Sequence, residues 1–290
     1  MTRIITALSE VSDRYEALFV DLWGCVHNGI KAIPSAVEAL QTYRARGGAV
    51  VLVTNAPRSR HEVAKQLVRF GVPEDAYDDI ATSGDSARSA MFQGAVGHKV
   101  WFMGHDFDLS FFDPLAIIDD PAPIERVDLE QAEGIICCGP FDPHADPEVN
   151  RPQFLYAKQK GLKLLCANPD IVVDRGERRE WCAGALAQLY TEMGGESLYF
   201  GKPHPPIYDL ARRRLAAHRK DVPDSAILAI GDGPHTDIDG AMGEDIDSLF
   251  ITGGLARAET RTTTAPDPAA LQAYVAQEQI NPTYAMGTLA

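Results

Sequence analysis

Asp21 directly follows the apolar run Ala17-Leu18-Phe19-Val20 and opens the segment Leu22-Trp23-Gly24-Cys25-Val26. A carboxylate therefore stands where a buried strand ends and a glycine turn begins, the place where open α/β sheets collect reactive groups. Three later segments have the same form. Thr54-Asn55 follows Val50 to Val53, Lys202 lies in Gly201-Lys202-Pro203, and Gly231-Asp232-Gly233-Pro234-His235-Thr236-Asp237 follows Ala226 to Ile230. Asp21 has the chemistry of a nucleophile, and Thr54 with backbone N–H groups that of a phosphoryl-oxygen cradle. Lys202 is a fixed positive charge able to neutralise both nucleophile and phosphate. The hard carboxylates of Asp232 and Asp237 beside Asp21 suit magnesium, which prefers oxygen ligands and would offset repulsion between an anionic nucleophile and an anionic substrate. Each segment alone is ordinary turn chemistry. Acid, hydroxyl, lysine and acid pair in this order, each at a strand end, read together as a phosphoryl-transfer site.

The elements that must position these groups are legible as alternating strands and helices. Ala17 to Val20 reads as a strand, and Pro34 to Arg46 as a helix with Ala36, Val37, Leu40 and Tyr43 at helical spacing. Gly47-Gly48 stops it before the strand Ala49 to Val53, and Ser59 caps a helix through Val63, Leu67 and Phe70 that Gly71 ends. This alternation predicts βαβ units and a Rossmann-like, doubly wound parallel sheet. Beyond Thr82-Ser83-Gly84 the pattern changes. Strands at Lys99 to Met103, Gly134 to Cys138 and Leu162 to Ala167, with a helix at Gln153 to Lys160, predict an inserted α/β unit. The run from Asp113 to Pro123 between them is rich in Asp and Pro. The predicted division is a core of residues 1–84 and 183–290, resuming with a helix near Ala183 to Met193, and an insert of residues 85–182. Helix Ile207 to Ala217 and strands Ala226 to Ile230 and Asp247 to Thr252 complete the core. The tail after Thr260, with one helix near Pro268 to Gln277, reads as a peripheral closing element.

Composition bounds the function. The chain has 290 residues, 45% hydrophobic and 23% charged, typical of a globular protein. With 41 acidic against 27 basic residues its net charge is −14, which argues against nucleic-acid and anionic-membrane partners. No apolar run is long enough to span a membrane, and Met1-Thr2-Arg3-Ile4-Ile5 lacks the apolar stretch of a secretion signal. The cytoplasm is the expected location. Five cysteines (Cys25, Cys137, Cys138, Cys166, Cys182), odd in number and without metal-ligand spacing, are expected to be reduced and partly buried. Self-association is left open.

The four segments resemble the haloacid dehalogenase-like hydrolase superfamily over nearly the whole chain. The large insert, with Thr82-Ser83-Gly84, Ala167-Asn168-Pro169-Asp170 and Gly201-Lys202-Pro203-His204-Pro205, resembles the class IIA, NagD-type phosphatase branch and its α/β cap. The resemblance implies a magnesium-dependent hydrolase of a small phosphorylated metabolite, a sugar phosphate or a nucleotide. Asp21 would be the nucleophile that forms an aspartyl-phosphate. Thr54 and the backbone around Asn55 would bind the phosphoryl group, and Lys202 would orient Asp21. Asp232 would hold magnesium with the Asp21 carboxylate and the Trp23 carbonyl, and Asp237 would support the metal or Lys202. Asn168 and Asp170 are candidate substrate-binding residues of the cap, though an Asn-Pro-Asp turn explains them equally well. Arg175, Arg178 and Arg179 read as a grip for a second anionic group or as a solvated charged loop.

Trp23 departs from the pattern. Most phosphatases of the superfamily place a second Asp there, which protonates the leaving group and later activates water. Indole does neither, because its N–H is a donor that does not ionise. Three readings stay open: a substrate with a good leaving group, another residue (His27 is the nearest) in place of the acid, or a protein that binds a phosphorylated ligand and turns it over slowly or not at all. A dinucleotide-dependent oxidoreductase is disfavoured, since no G-x-G-x-x-G follows the first strand.

Overall fold

A computed structural model of the chain describes residues 2–114, 121–175 and 178–290. Part of the Asp- and Pro-rich stretch, residues 115–120, lies outside them. In chain order the strands are β1 (Arg3–Ile4), β2 (Ala17–Val20), β3 (Ala49–Thr54), β4 (Asp79–Thr82), β5 (Lys99–Met103), β6 (Glu125–Arg126), β7 (Gly134–Cys137), β8 (Lys163–Cys166), β9 (Val172–Arg175), β10 (Arg178–Trp181), β11 (Glu196–Tyr199), β12 (Ile227–Gly231), β13 (Asp247–Ile251) and β14 (Tyr284–Met286). The helices are α1 (Pro34–Ala45), α2 (Arg60–Phe70), α3 (Ser83–Phe92), α4 (Arg151–Gln159), α5 (Ala183–Glu192), α6 (Pro205–His218), α7 (Asp239–Gly243) and α8 (Pro268–Gln277). No helix among the described residues is long and apolar enough to cross a membrane.

The chain forms two compact units. The first comprises Met1–Thr54, Val63–Ala81 and Lys202–Ala290, and the second Asn55–Glu62 and Thr82–Gly201. A parallel seven-stranded sheet of order β1-β14-β13-β12-β2-β3-β4 carries the first unit. Its central strands are buried along their whole length, which is why they read as continuous apolar runs. Phe19, Val51 and Ile227 pack on one face with Ile207, Tyr208 and Ala211 of α6. Asp21 N–H donates to the Ile230 carbonyl at 2.8 Å, extending the β2–β12 ladder by one step and holding Asp21 at the strand end.

The predicted parallel α/β sheet is thus present, and the two chain ends are part of it. The tail is no peripheral appendage: β14 lies between β13 and β1, pairing in parallel with both. Leu271 of α8 joins Phe250 and Ala285 in a buried cluster.

The second unit has its own parallel sheet, of order β11-β8-β7-β5-β6, and an antiparallel β9–β10 hairpin. Alternate residues of its strands serve opposite faces. Ile135 and Leu164 pack with Phe154 of α4 and Leu186 and Tyr190 of α5, while Ile136 and Leu165 pack with Met91 and Phe92 of α3. Residues 183–201 belong here and not to the first unit, which corrects the sequence expectation that the core resumes at Ala183. The reason is pairing and packing: β11 extends the second sheet beside β8, and α5 is buried on nearly all sides against it.

Gly184, in the first turn of α5, accepts no side chain, because a Cβ there would lie 2.1 Å from the Pro169 carbonyl oxygen. Its N–H donates to the Asp170 carbonyl at 3.1 Å, fixing the Asn168-Pro169-Asp170 turn against the helix. On helix propensity alone, alanine would gain about 1 kcal/mol over glycine. Overpacking against backbone costs about 1–3 kcal/mol. Gly184→Ala is therefore expected to lower the denaturant midpoint, and a raised midpoint would show that the turn yields.

Candidate active site

Among three neighbouring strands of the first sheet, in the order β12-β2-β3, Asp232 and Asp21 directly follow β12 and β2, and Thr54 ends β3. Asp21, Thr54, Lys202, Asp232 and Asp237 are all buried. Lys202 Nζ donates to Asp21 Oδ1 at 2.5 Å and to Asp237 Oδ1 at 2.6 Å, so one ammonium ties the end of β2 to the loop after β12. That loop makes a single wide helical turn over Pro234–Ile238, in which the Gly233 carbonyl accepts from the N–H groups of both Asp237 and Ile238. The turn brings Asp237 back so that its Oδ2 accepts the Gly233 N–H at 3.0 Å.

The Asp232 carboxylate, that of Asp21 and the Cys25 thiol have ligand atoms within 4.8 Å of one another. Asp232 Oδ2 accepts the Leu255 N–H at 3.1 Å, from the loop after β13. Two glycines make room for it. A Cβ would come within 2.1 Å of Asp232 Oδ2 at Gly24, where φ is +77°, and within 1.9 Å at Gly254. Burial first, then the negative charges of Asp21 and Asp237, push the Asp232 carboxyl well above the usual carboxylate range. Burial likewise pushes the Cys25 thiol up and keeps it protonated. In the sequence, the Gly253-Gly254 pair that follows β13 marks the close backbone approach to Asp232. The approach of Cys25 to both carboxylates had no signal beyond its place in the loop.

Trp23 is half-buried on the loop after Asp21. Its ring meets that of His27 edge-on, with centroids 5.3 Å apart, and His27 meets Phe70 the same way at 4.9 Å. His27 Nδ1 accepts the Gly29 N–H at 3.0 Å. Burial lowers the His27 pKa to about 4, which favours the neutral ring at physiological pH. His204 precedes α6, and burial lowers its pKa also. His235 is exposed between Asp239 and Glu278, at 3.0 and 2.9 Å, and these carboxylates raise its pKa.

The remaining predicted residues lie in the second unit. Asn55 Nδ2 donates to Asp170 Oδ1 at 2.8 Å, and the Asp170 N–H donates to Asn168 Oδ1 at 3.1 Å. Cys166 Sγ donates to the Asn168 carbonyl at 3.3 Å. Asn168 and Asp170 thus form a turn, with Asp170 reaching back to hold the residue after Thr54. Arg175 and Arg178 face each other across the β9–β10 hairpin, and Arg175 pairs with Glu180 at 3.1 Å.

A haloacid dehalogenase-like hydrolase pattern matches residues 18–115, and a HAD-hydrolase-like pattern matches residues 199–277. A hydrolase of the haloacid dehalogenase-like family from Brucella suis, known by its crystal structure, is 38% identical. It superposes with a TM-score of 0.86 over 99% of this chain and 100% of its own. The chain belongs to the haloacid dehalogenase-like hydrolase family. Two further relatives of this hydrolase have assigned activities. The 5'-nucleotidase YutF of Bacillus subtilis is 24% identical, covering 88% of this chain and 93% of its own. The ribonucleotide monophosphatase NagD of Escherichia coli is 21% identical, covering 81% and 86%.

A carboxyl whose pKa is raised by folding favours the folded state below its unfolded pKa, and that contribution is lost as pH rises through the folded value. At neutral pH Asp232 therefore opposes folding when no cation is bound. Asp232→Asn is expected to raise the melting temperature of the chelator-treated hydrolase, by roughly 2–4 °C per kcal/mol recovered. The gain should shrink towards acidic pH. A lower melting temperature at neutral pH would contradict this reading of the site.

Proposed function

We propose that this hydrolase is a magnesium-dependent phosphatase of small phosphorylated metabolites, working through an aspartyl-phosphate on Asp21. The observation that carries the reading is the Lys202 ammonium shared by Asp21 and Asp237, beside the buried Asp232 carboxylate. An anionic carboxylate held by a lysine is an oriented nucleophile. An oxygen of Asp21 attacks phosphorus as the bond to the leaving oxygen breaks. Water then attacks the same phosphorus, releasing inorganic phosphate and restoring the carboxylate. Thr54 and the N–H groups around Asn55 take the phosphoryl oxygens. Asp237 fixes Lys202.

The residues fit a magnesium ion. Asp21 and Asp232 offer hard oxygens in close proximity, their mutual repulsion calls for a cation, and the protonated Cys25 thiol is a poor competitor for it. Asp21, Asp232 and the Trp23 carbonyl would hold the ion, with Asp237 in support. When bound, it supplies charge neutralisation and polarises a phosphoryl oxygen. The phosphatase activities named for YutF and NagD support the substrate class. Five buried, unpaired cysteines fit a cytoplasmic setting.

With acetyl phosphate and p-nitrophenyl phosphate as substrates, chelation is expected to stop turnover and magnesium to restore it. Asp21→Asn should lower kcat/KM by at least about 10³-fold, the scale of losing a nucleophile. Turnover that survives Asp21→Asn would exclude the aspartyl-phosphate. Binding of phosphate compounds without any turnover would favour a ligand-binding role instead.

A further inference from the structure

The loop that follows Asp21 is built around an indole. Gly29 has φ +80°, and a Cβ there would lie 2.4 Å from Trp23 Cζ2, so the ring occupies the space that a side chain at position 29 would need. The ring also meets His27 edge-on, itself backed by Phe70. The backbone closes tightly beneath: Val26 and His27 N–H groups both donate to the Leu22 carbonyl, and the Gly24 N–H donates to the His27 carbonyl at 2.9 Å. Trp23 is therefore fitted to its place, on the segment that carries the nucleophile.

Three groups of the first unit that lie near the loop are poorly placed to supply the proton that an indole lacks. His27 is buried, wedged between two rings, with Nδ1 taken by the Gly29 N–H. The Lys202 ammonium is committed to Asp21 and Asp237. Cys25 is fully buried against the carboxylates.

We infer that this hydrolase acts on phosphoryl compounds whose leaving group departs as a stable anion without a proton, acyl phosphates being the metabolites of that chemistry, and that alkyl phosphate esters are poor substrates. This rests on the aspartyl-phosphate reading above and narrows its substrate class, away from sugar phosphates. In the first step the Asp21 oxygen–phosphorus bond forms and the phosphorus–oxygen bond to the acyl group breaks. The electron pair leaves on a carboxylate, which needs no proton. In the second, water attacks phosphorus and the bond to Asp21 breaks. Both water protons depart with the product as dihydrogen phosphate, so no external oxidant or acid enters the balance. An alkoxide has no such stability. Its departure needs the general acid, whose help is typically worth ~10²–10⁴ in rate.

The test is kcat/KM of the wild-type enzyme, with magnesium, along the series acetyl phosphate, p-nitrophenyl phosphate, phenyl phosphate and glycerol phosphate. A proton donor flattens such a series, because a protonated leaving group loses its disadvantage. Expected is a steep fall, with glycerol phosphate at least ~10²-fold below acetyl phosphate, the lower bound of general-acid help. Trp23→Asp should narrow that gap, while Trp23→Asn, similar in size but unable to ionise, should not. Glycerol phosphate within about tenfold of acetyl phosphate, below that bound, would overturn the inference and leave the phosphatase intact. No turnover of any member, acetyl phosphate included, would remove the aspartyl-phosphate reading and this inference with it.

Discussion

One ammonium between two buried carboxylates is the interaction on which the first unit's chemistry depends. Lys202, Asp21 and Asp237 are all withdrawn from water, where an isolated charge would be strongly disfavoured. Each is tolerable because the others are present. Removing one partner of such a buried pair typically costs about 3–5 kcal/mol, since it leaves an uncompensated charge behind. The arrangement still carries an excess of negative charge, because Asp232 lies close by with a backbone N–H from Leu255 as support. That imbalance is the physical argument for a cation: the folded chain stores a repulsion that a hard divalent ion would relieve.

The sheet sets these charges at fixed separations. Asp21 and Asp232 follow adjacent parallel strands, and the Asp21 N–H extends the ladder between them. The glycines at positions 24 and 254 let backbone close in on Asp232 where any side chain would collide. Stability and function therefore pull in opposite directions at this edge. The tight packing that orients the carboxylates also keeps them near one another and out of water.

Much of the candidate site was legible because parallel strands buried on both faces appear as unbroken apolar runs, and the candidate residues come immediately after them. Ala17 to Val20, Ala49 to Val53 and Ala226 to Ile230 are runs of that kind on adjacent strands, and Asp21 and Asp232, which follow two of them, do lie together. The misses share one cause. β1, β11 and β14 are two to four residues long, too short to show a period, and only long-range pairing makes them strands. The helix at Ala183 was visible, but an apolar helix does not reveal which sheet it covers. Only the pairing of β11 with β8 assigns residues 183–201 to the second unit. The setting of Trp23 was equally hidden, since the glycine and histidine that enclose the ring form no recognisable motif.

Whether Asp21 carries the phosphoryl group is the most direct question to put to this arrangement. Wild-type enzyme turning over acetyl phosphate with magnesium can be quenched in acid during the steady state, digested, and mapped by mass spectrometry. The expected result is one phosphoryl group on the peptide containing Asp21, absent from Asp21→Asn and discharged by hydroxylamine as an acyl phosphate should be. A phosphoryl group on another residue, or turnover with equal rate in the Asp21→Asn protein, would contradict the role given to the Lys202-bound carboxylate.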